Sequence, residues 1–298
     1  MTSVTAGKLL MTPRQKYISR FYRYLSNRCH GICYFIFEKK KMDIEPKFTF
    51  ISIQQDKKYP NLENNTIKKL IEKWGLHLSI QNYLFNETFH EYHKYHLAEE
   101  FFKSDIVAKS LKTWTSNNYK IQGFVASKVE TKQISCSVVS MSFFDKLKDP
   151  KNNIVYESGS IRQRYETEIN GIMVSDNLRS MLIDEESDEY SIYSTDERDE
   201  FIFKIFQMLV LGGEYCQYED YLQPYLDCTK KIYKDFVKVY TEPSTNDLAI
   251  STMILQVVAE RDGKAYFPND PDHLQNIGYL LVDSNNREIT TLIHQYKG

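Results

Sequence analysis

Residues 201–240 read FIFKIFQMLVLGGEYCQYEDYLQPYLDCTKKIYKDFVKVY, and this stretch decides the fold. Phe201–Leu211 is apolar on nearly every side, which predicts a helix that is buried on more than one face. Gly212 can adopt the left-handed backbone conformation that ends a helix. A second helix is predicted from Pro224, with apolar residues at three- and four-residue steps and lysines mostly opposite. The first helix should therefore lie in the core, and the second should lie at the surface.

Residues 213–225 form the junction between these two helices, and within it residues 215–220 are a polar and aromatic string that fits neither helix. Tyrosine combines a large contact area with a polar tip and is favoured in protein interfaces. The alternative is that the rings pack against the chain's own core with their hydroxyl groups bonded locally. The sequence leaves both interpretations open. The candidate partner-binding residues of the junction are Tyr215, Gln217, Tyr218, Glu219, Asp220 and Tyr221.

Residues 184–200 form the one strong charge run, with nine acidic residues against the single base Arg198. Ser194 and Glu197 make a capping box, which predicts that the second half of the run opens the helix that continues into Phe201–Leu211. The first half is either a solvated loop or a docking segment for a basic partner. Its candidate contact residues are Glu185, Glu186 and Asp188.

The composition sets limits on the class of protein. The chain has 298 residues, of which 42% are hydrophobic, and a formal net charge of -2, so it can bury a core but has no global field that would attract nucleic acid. The longest apolar run is far shorter than the roughly 20 residues that span a bilayer. Five scattered cysteines without a signal peptide ahead of them indicate reduced thiols inside the cell.

Two segments are predicted along the chain: residues 1–45 as a basic N-terminal extension and linker, and residues 46–298 as a single α+β globular domain. Residues 1–30 contain six lysines and arginines and no acidic residue. This composition suits either a mitochondrial transit peptide or a basic arm that docks on an acidic partner, and we favour the arm.

Helices outside the central stretch are predicted from periodicity and capping residues. Asn65 is expected to cap a helix that reaches residue 74, and Gly75 occupies the stop position after it. Residues 97–112 have a helical stripe that breaks near residues 104–105. Ser175 is expected to cap a further short helix.

Strands are predicted where β-branched residues cluster. Residues 121–129 and 133–141 are expected to form a hairpin around residues 130–132. The last sixty residues contain three β-type runs separated by turn residues, which predicts a C-terminal β-meander. Because strands and helices do not alternate regularly, the fold class is α+β, with mainly antiparallel sheet elements packed with several helices.

No motif in the sequence points to catalysis. The three histidines of residues 90–96 do not have the spacing of a zinc protease, and surface histidines are the better interpretation. Cys29 and Cys33 lack the spacing of a zinc knuckle, and Cys216 follows a helix C-terminus, where the pKa of a thiol is not depressed. Phosphate-binding loops and the nucleophile elbow are absent from the sequence. We therefore expect no enzymatic activity, catalytic residue, metal or cofactor.

The junction also carries a resemblance. Residues 212–213, 216–220, 224–226 and 232–235 closely resemble the corresponding stretch of the cilia- and flagella-associated protein 300 family. Shorter pieces agree in the same order, among them residues 101–103 and 140–144 before the junction and residues 282–283 after it. The resemblance runs from about residue 47 to the C-terminus.

This resemblance implies a non-enzymatic protein of ciliated cells that assembles the outer and inner dynein arms in the cytoplasm and delivers them to the axoneme. The implied partners are axonemal dynein subunits, cytoplasmic dynein assembly factors and the intraflagellar transport machinery. The implied locations are the cytoplasm and the axoneme of the cilium or flagellum. Two alternatives remain: a stable axonemal structural subunit, and a small-molecule-binding or enzymatic domain with a pocket at residues 213–225.

Overall fold

An antiparallel sheet with helices on both faces organises the described part of the chain. The computed structural model describes residues 46–53, 57–115 and 118–296. The predicted basic extension, with Cys29 and Cys33, lies outside these residues, and the domain boundary at residue 45 stays a prediction.

Thirteen strands occur in the described residues. In chain order they are β1 (Phe50–Ser52), β2 (Leu78–Phe85), β3 (Lys112–Trp114), β4 (Tyr119–Ile121), β5 (Lys128–Ile134), β6 (Gln163–Ile169), β7 (Ile172–Asp176), β8 (Val239–Thr241), β9 (Leu248–Ile250), β10 (Thr252–Arg261), β11 (Lys264–Phe267), β12 (Ile277–Asp283) and β13 (Glu288–His294).

Seven of these strands form the main sheet, in the order β1, β2, β13, β12, β10, with β5 on the far edge of β10. Strand β11 pairs with the end of β10, on the same edge as β12, because Leu255 lies between β12 and β5 while Ala259 lies between β11 and β5. All of these pairs are antiparallel. The pairs β3–β4, β6–β7 and β8–β9 form separate two-stranded sheets.

Eight α-helices occur in the described residues. They are α1 (Asn65–Lys73), α2 (Lys94–Lys103), α3 (Asp105–Ala108), α4 (Asp145–Lys148), α5 (Asn177–Ile183), α6 (Thr195–Arg198), α7 (Phe201–Leu211) and α8 (Gln223–Phe236).

The core lies on both faces of the main sheet. Successive residues of a strand point to opposite faces, and in β12 Leu281 joins the cluster that holds α7 and α8, while Leu280 joins the cluster that holds α2 and α3. Strand β10 alternates in the same way through Ile254 and Leu255. Burial on both faces explains why these strands read as continuous apolar runs.

The structure confirms the predicted α+β class with C-terminal antiparallel strands. Nine of the eleven residues of α7 are buried, as its apolar circumference predicted. The helical stripe of residues 97–112 does break, because Ser104 is extended between α2 and α3.

The predicted hairpin around residues 130–132 is wrong. These residues lie in the middle of β5 and pair with β10, with Thr131 opposite Val257. The charged residues that suggested a turn occupy exposed positions of β5, which has no strand on its other edge among the described residues. Exposed edge strands commonly carry charged side chains, so the charges marked an edge strand.

Two predicted caps are displaced by one residue. The side chain of Asn64, one residue before Asn65, accepts a hydrogen bond from the N–H of Thr66 at 2.9 Å and caps α1. Asp176, one residue after Ser175, caps α5.

The capping box of Ser194 and Glu197 is present, but it does not open the long helix. It begins α6, a single turn that ends at Arg198, and Glu200 is then extended. Helix α7 begins separately, where the N–H of Phe201 donates to the carbonyl of Ser135 at 2.7 Å.

Candidate functional site

The junction after α7 begins where two stretches of backbone touch. A Cβ on Gly213 would stand 2.1 Å from the carbonyl oxygen of Gly75, which follows α1 and Trp74. A Cβ on Gly75, where φ is +65°, would stand 2.1 Å from the carbonyl oxygen of Glu214. The N–H of Gly213 donates to the carbonyl of Trp74 at 2.8 Å. Backbone therefore fills this part of the junction, and a side chain has no room there.

Glu219 fastens the junction to the end of α1. Its carboxylate accepts hydrogen bonds from Nζ of Lys73 at 2.7 Å and from Nε1 of Trp74 at 3.1 Å. Its backbone N–H donates to the hydroxyl of Tyr225 at 3.0 Å. The Trp74 and Tyr225 rings stack with their centroids 4.7 Å apart. The carboxylate of this candidate residue is thus engaged within the chain.

Arg179 of α5 is fully buried beneath the same junction. Its guanidinium pairs with the Asp176 carboxylate and donates to the carbonyl of Val210 and the hydroxyl of Tyr225, both at 2.9 Å. The Tyr218 ring covers it, with Cζ of Arg179 3.2 Å from the ring centroid. The sequence interpretation gave Arg179 no role. The available signal was an arginine inside a short apolar helix, since a buried charge requires partners.

Burial also fixes the protonation state of Tyr225. Burial raises the pKa of Tyr225 to about 12, although the neighbouring Arg179 lowers it. The hydroxyl group therefore stays neutral at physiological pH. It accepts hydrogen bonds from both Arg179 and the Glu219 backbone, so one phenol joins α5, the junction and α8.

The other candidate side chains of the junction are exposed, although one face of the Tyr218 ring lies on Arg179. The exposed fraction is 87% for Tyr215, 53% for Tyr221 and 36% for Tyr218. Gln217 and Asp220 are exposed as well. The junction therefore has a bonded underside and an exposed polar and aromatic surface.

The backbone that carries these exposed side chains is held at several points. The N–H of Gln217 donates to the carbonyl of Lys73 at 2.9 Å. The carbonyl of Asp220 accepts from the N–H of Ile161 at 2.8 Å, and Tyr221 makes a β-bridge with Ser160. The exposed surface is therefore presented on a fixed main chain.

The acidic run divides into an exposed half and a bonded half. Glu185, Glu186 and Asp188 are exposed and form no ion pair with any described residue. In the described chain, no hydrogen bond or ion pair joins them to residues 213–225. The exposed acids and the junction residues are therefore not bonded to each other. The exposed acids come shortly after α5, the helix that carries Arg179.

The residues in the bonded half of the run form ion pairs and hydrogen bonds within the chain. Glu197 pairs with Lys146 at 2.5 Å, and Asp199 pairs with Lys132 at 2.7 Å. Arg198, the single base of the run, is buried and donates to backbone carbonyl groups on either side of the exposed half. These acids and this base therefore stabilise the folded segment through bonds within the chain and are not candidate contacts for a partner.

The described histidines and cysteines are not grouped as metal ligands. Within residues 46–53, 57–115 and 118–296, no group of three or more His, Cys, Asp or Glu residues is placed to hold a metal ion. His90 stacks on Tyr92, and the rings of His93 and His96 lie 6.4 Å apart. Burial raises the pKa of the Cys216 thiol to about 11, which keeps it protonated at neutral pH.

A cavity of about 1020 Å³ lies elsewhere, at the β3–β4 and β10–β11 hairpins. Its lining includes Trp114, Lys264, Asn269 and His273. Of residues 213–225, Glu214 alone is among the described residues that line it. The cavity is therefore not the pocket at residues 213–225 that the small-molecule alternative requires.

These features define the class of protein: an α+β protein with an exposed aromatic segment on a fixed backbone. No helix in the described part of the chain combines the length and apolarity needed to cross a membrane. A family model described as cilia- and flagella-associated protein 300 matches residues 47–294. The chain belongs to the cilia- and flagella-associated protein 300 family, which confirms the resemblance seen in the sequence.

Two relatives illustrate the similarity. A cilia- and flagella-associated protein 300 from Paramecium tetraurelia is 30% identical over 237 residues, which cover 79% of this chain and 89% of the relative. One from Chlamydomonas reinhardtii is 28% identical over 239 residues, which cover 79% of this chain and 93% of the relative. Neither name describes an enzyme. No solved structure matches the chain.

Proposed function

We propose that this chain is a non-enzymatic adaptor for the assembly of the outer and inner axonemal dynein arms. It acts in the cytoplasm, where it binds an axonemal dynein subunit or a dynein assembly factor, and it travels to the cilium by intraflagellar transport. Membership of a cilium- and flagellum-associated family supports the cellular setting of this proposal.

The observation that carries the proposal is the exposed surface of the junction on its fixed main chain. Tyr215, Tyr218 and Tyr221 offer aromatic area, and Gln217 and Asp220 offer hydrogen-bonding groups. A surface whose backbone is already ordered loses little conformational entropy on binding. Tyrosine is also among the residues that most often dominate binding energy in interfaces.

The exposed acids Glu185, Glu186 and Asp188 supply a second contact for a basic segment of the same partner. Charges at the rim of an interface mainly accelerate association and contribute less to affinity. We therefore assign the junction the larger share of the binding energy. Filling of the junction by backbone at Gly75 and Gly213 supports a protein-binding role over a small-molecule pocket.

The test is deletion of the gene in ciliated cells, followed by electron microscopy of axonemal cross-sections. We expect the outer and inner arms to be lost and to return with the wild-type chain. The variant Tyr215→Ala/Asp220→Ala/Tyr221→Ala should fold but fail to restore them. The matched control Tyr92→Ala/Tyr165→Ala/Glu166→Ala removes two exposed tyrosines and one exposed carboxylate elsewhere, and it should restore the arms.

Three results would contradict the proposal or its choice of contact surface. Intact arms in the deleted cells would exclude the assembly role. A chain that stays in purified axonemes after the dyneins are extracted with salt would instead be a structural subunit. Full rescue by the junction variant would move the contact surface to another part of the chain.

A further inference from the structure

A groove follows one side of α8, between this helix and residues 139–142. It consists of two cavities, of about 550 and 170 Å³, that share Met141 and Lys230 in their lining. The larger cavity lies near the C-terminal end of α8, and the smaller lies near its N-terminal end. The groove is therefore an elongated feature alongside a helix, and its residues are distinct from the candidate residues of the junction.

The floor of the groove is apolar. Ile202, Tyr233 and Val237 are buried and line it, while Val139 and Val239 are about half exposed at its edges, at 47% and 48%. The Tyr233 hydroxyl donates to the carbonyl of Val138 at 2.9 Å, so its polar atom is satisfied within the chain. Apolar side chains of a partner could thus be buried here without leaving a polar group of the floor unpaired.

A row of lysines lines the groove. Lys230, Lys234 and Lys238 are four residues apart and exposed, and they form no ion pair with any described residue. Among the described lining residues, Asp227 carries the one carboxylate, and it accepts a hydrogen bond from Gln223 at 2.8 Å. The groove is thus a local basic surface on a chain whose formal net charge is -2.

The chemistry and spacing of the groove indicate its occupant. Lys230 and Lys234 lie on α8 about one helical turn apart, or roughly 6 Å along the axis, and Lys238 follows two residues after the helix ends at Phe236. A partner helix with an acidic residue on each turn would place its carboxylates beside successive lysines and its neighbouring apolar residues on the floor. A nucleic acid fits less well, because the one aromatic lining residue among the described ones, Tyr233, is buried rather than offered for base stacking, and no arginine is among the described lining residues.

We propose that this groove binds an acidic amphipathic helix of a partner protein, with carboxylates on Lys230, Lys234 and Lys238 and apolar side chains over Ile202 and Val237. Helix-in-groove recognition of this kind relies on apolar anchors, and the charges set orientation and specificity. The inference goes beyond the proposed function and does not depend on the dynein partner or on the junction.

The experiment measures fluorescence anisotropy with the full chain and a fluorescein-labelled synthetic helical peptide. The peptide carries Glu at every fourth position and Leu beside each Glu, and a control peptide carries Lys in place of every Glu. We expect the acidic peptide to bind, the control peptide not to bind, and affinity to fall as salt screens the charges. The variant Lys230→Glu/Lys234→Glu/Lys238→Glu should weaken binding at least about tenfold.

Two further variants separate the groove from general charge attraction. Lys68→Glu/Lys69→Glu/Lys231→Glu changes the net charge equally but lies outside the groove lining, and it should change affinity by less than about twofold. Val139→Arg adds a positive charge while placing bulk at the groove edge. Binding in the groove predicts that this variant loses affinity, whereas attraction to charge alone predicts a gain. Circular dichroism of each variant checks that it is folded.

Several results would overturn the inference: no binding of the acidic peptide, equal binding by the groove variant, or tighter binding by Val139→Arg. Displacement of the peptide by a lower concentration of single-stranded oligothymidylate would identify a polyanion site instead. Self-association in sedimentation velocity that disappears in the groove variant would identify a second copy of the chain as the occupant.

Discussion

At the scale of single residues, the fold depends on positions where no side chain fits. Gly75 ends α1 with a positive φ, as its stop position predicted, but it also touches the backbone of Glu214. The first requirement is local and can be recognised from the sequence. The second arises between residues far apart in the chain, so no local pattern reports it.

Replacement of Gly75 by alanine should be more costly than replacement of Gly123. Both glycines have positive φ values, +65° and +77°, but only Gly75 has atoms in the space of a Cβ. We expect Gly123→Ala to lower the free energy of unfolding by about 1 kcal/mol from backbone strain. Gly75→Ala should lower it by about 2 to 4 kcal/mol, because overpacking adds to the strain. Chemical denaturation measures the free energy of unfolding of both variants. Equal losses would show that the junction backbone moves to accommodate the added Cβ at little cost.

His294 should make stability depend on pH. It is fully buried in β13, the N–H of His77 donates to its Nδ1 at 3.1 Å, and burial lowers its pKa from 6.5 to about 4. Between these values the unfolded chain binds a proton that the folded chain does not. Stability is therefore highest above pH 6.5 and falls as the pH drops toward 4, by about 3 kcal/mol in total.

Urea denaturation at several pH values tests this expectation. His294→Gln should flatten the dependence of the free energy of unfolding on pH between 6.5 and 4. His90→Gln, at an exposed histidine, is the matched control and should keep the wild-type slope. A slope that persists in His294→Gln would assign the dependence to other groups.

At the scale of elements, the caps of α1 and α5 could be predicted to within one residue because capping is local. Ser194 and Glu197 form the expected capping box, but it begins α6 and not α7, because the chain is extended at Glu200. The pairing of β5 could not be predicted, since its partner β10 lies more than one hundred residues later. Charges alone do not distinguish a turn from an exposed edge strand.

Asp176 should be more important than an ordinary cap. It caps α5 and is also the counter-ion of the buried Arg179. Asp176→Asn keeps the cap but leaves Arg179 without its counter-ion, so we expect a loss of about 3 to 5 kcal/mol in the free energy of unfolding. Ser194→Ala, which removes a cap without a buried charge, should cost about 1 kcal/mol. Thermal and urea denaturation compare the stability of the two variants. Similar losses would show that the fold tolerates Arg179 without its counter-ion.

At the scale of the whole molecule, the α+β class and the family could be predicted, but the architecture of the candidate site could not. The buried arginine joins Asp176 at the end of β7, Val210 of α7 and Tyr225 of α8, and such an arrangement has no signature in a single sequence. The exposure of Tyr215 and Asp220 was equally undetermined, because the same residue types suit a packed core and a contact surface. Only the packing of α1 against the junction distinguishes the two.

The position of β13 predicts how truncation will act. This strand lies between β2 and β12 in the main sheet. A chain that ends after Arg287 should therefore lose its cooperative thermal transition, since both halves of the sheet lose their shared strand. A chain that ends after Tyr296 retains β13 and is the control. A cooperative transition in the shorter chain would show that the sheet folds without β13.

The same strand order has a consequence for synthesis on the ribosome. Asn82 of β2 and Thr290 of β13 are hydrogen-bonded neighbours that are 208 positions apart. At roughly 5 to 20 residues per second, translation takes about 10 to 40 s to cover that distance. During this interval β2 has an unpaired edge and apolar side chains without their final covering. The nascent chain should therefore depend on chaperones that bind extended apolar segments until β13 has been translated.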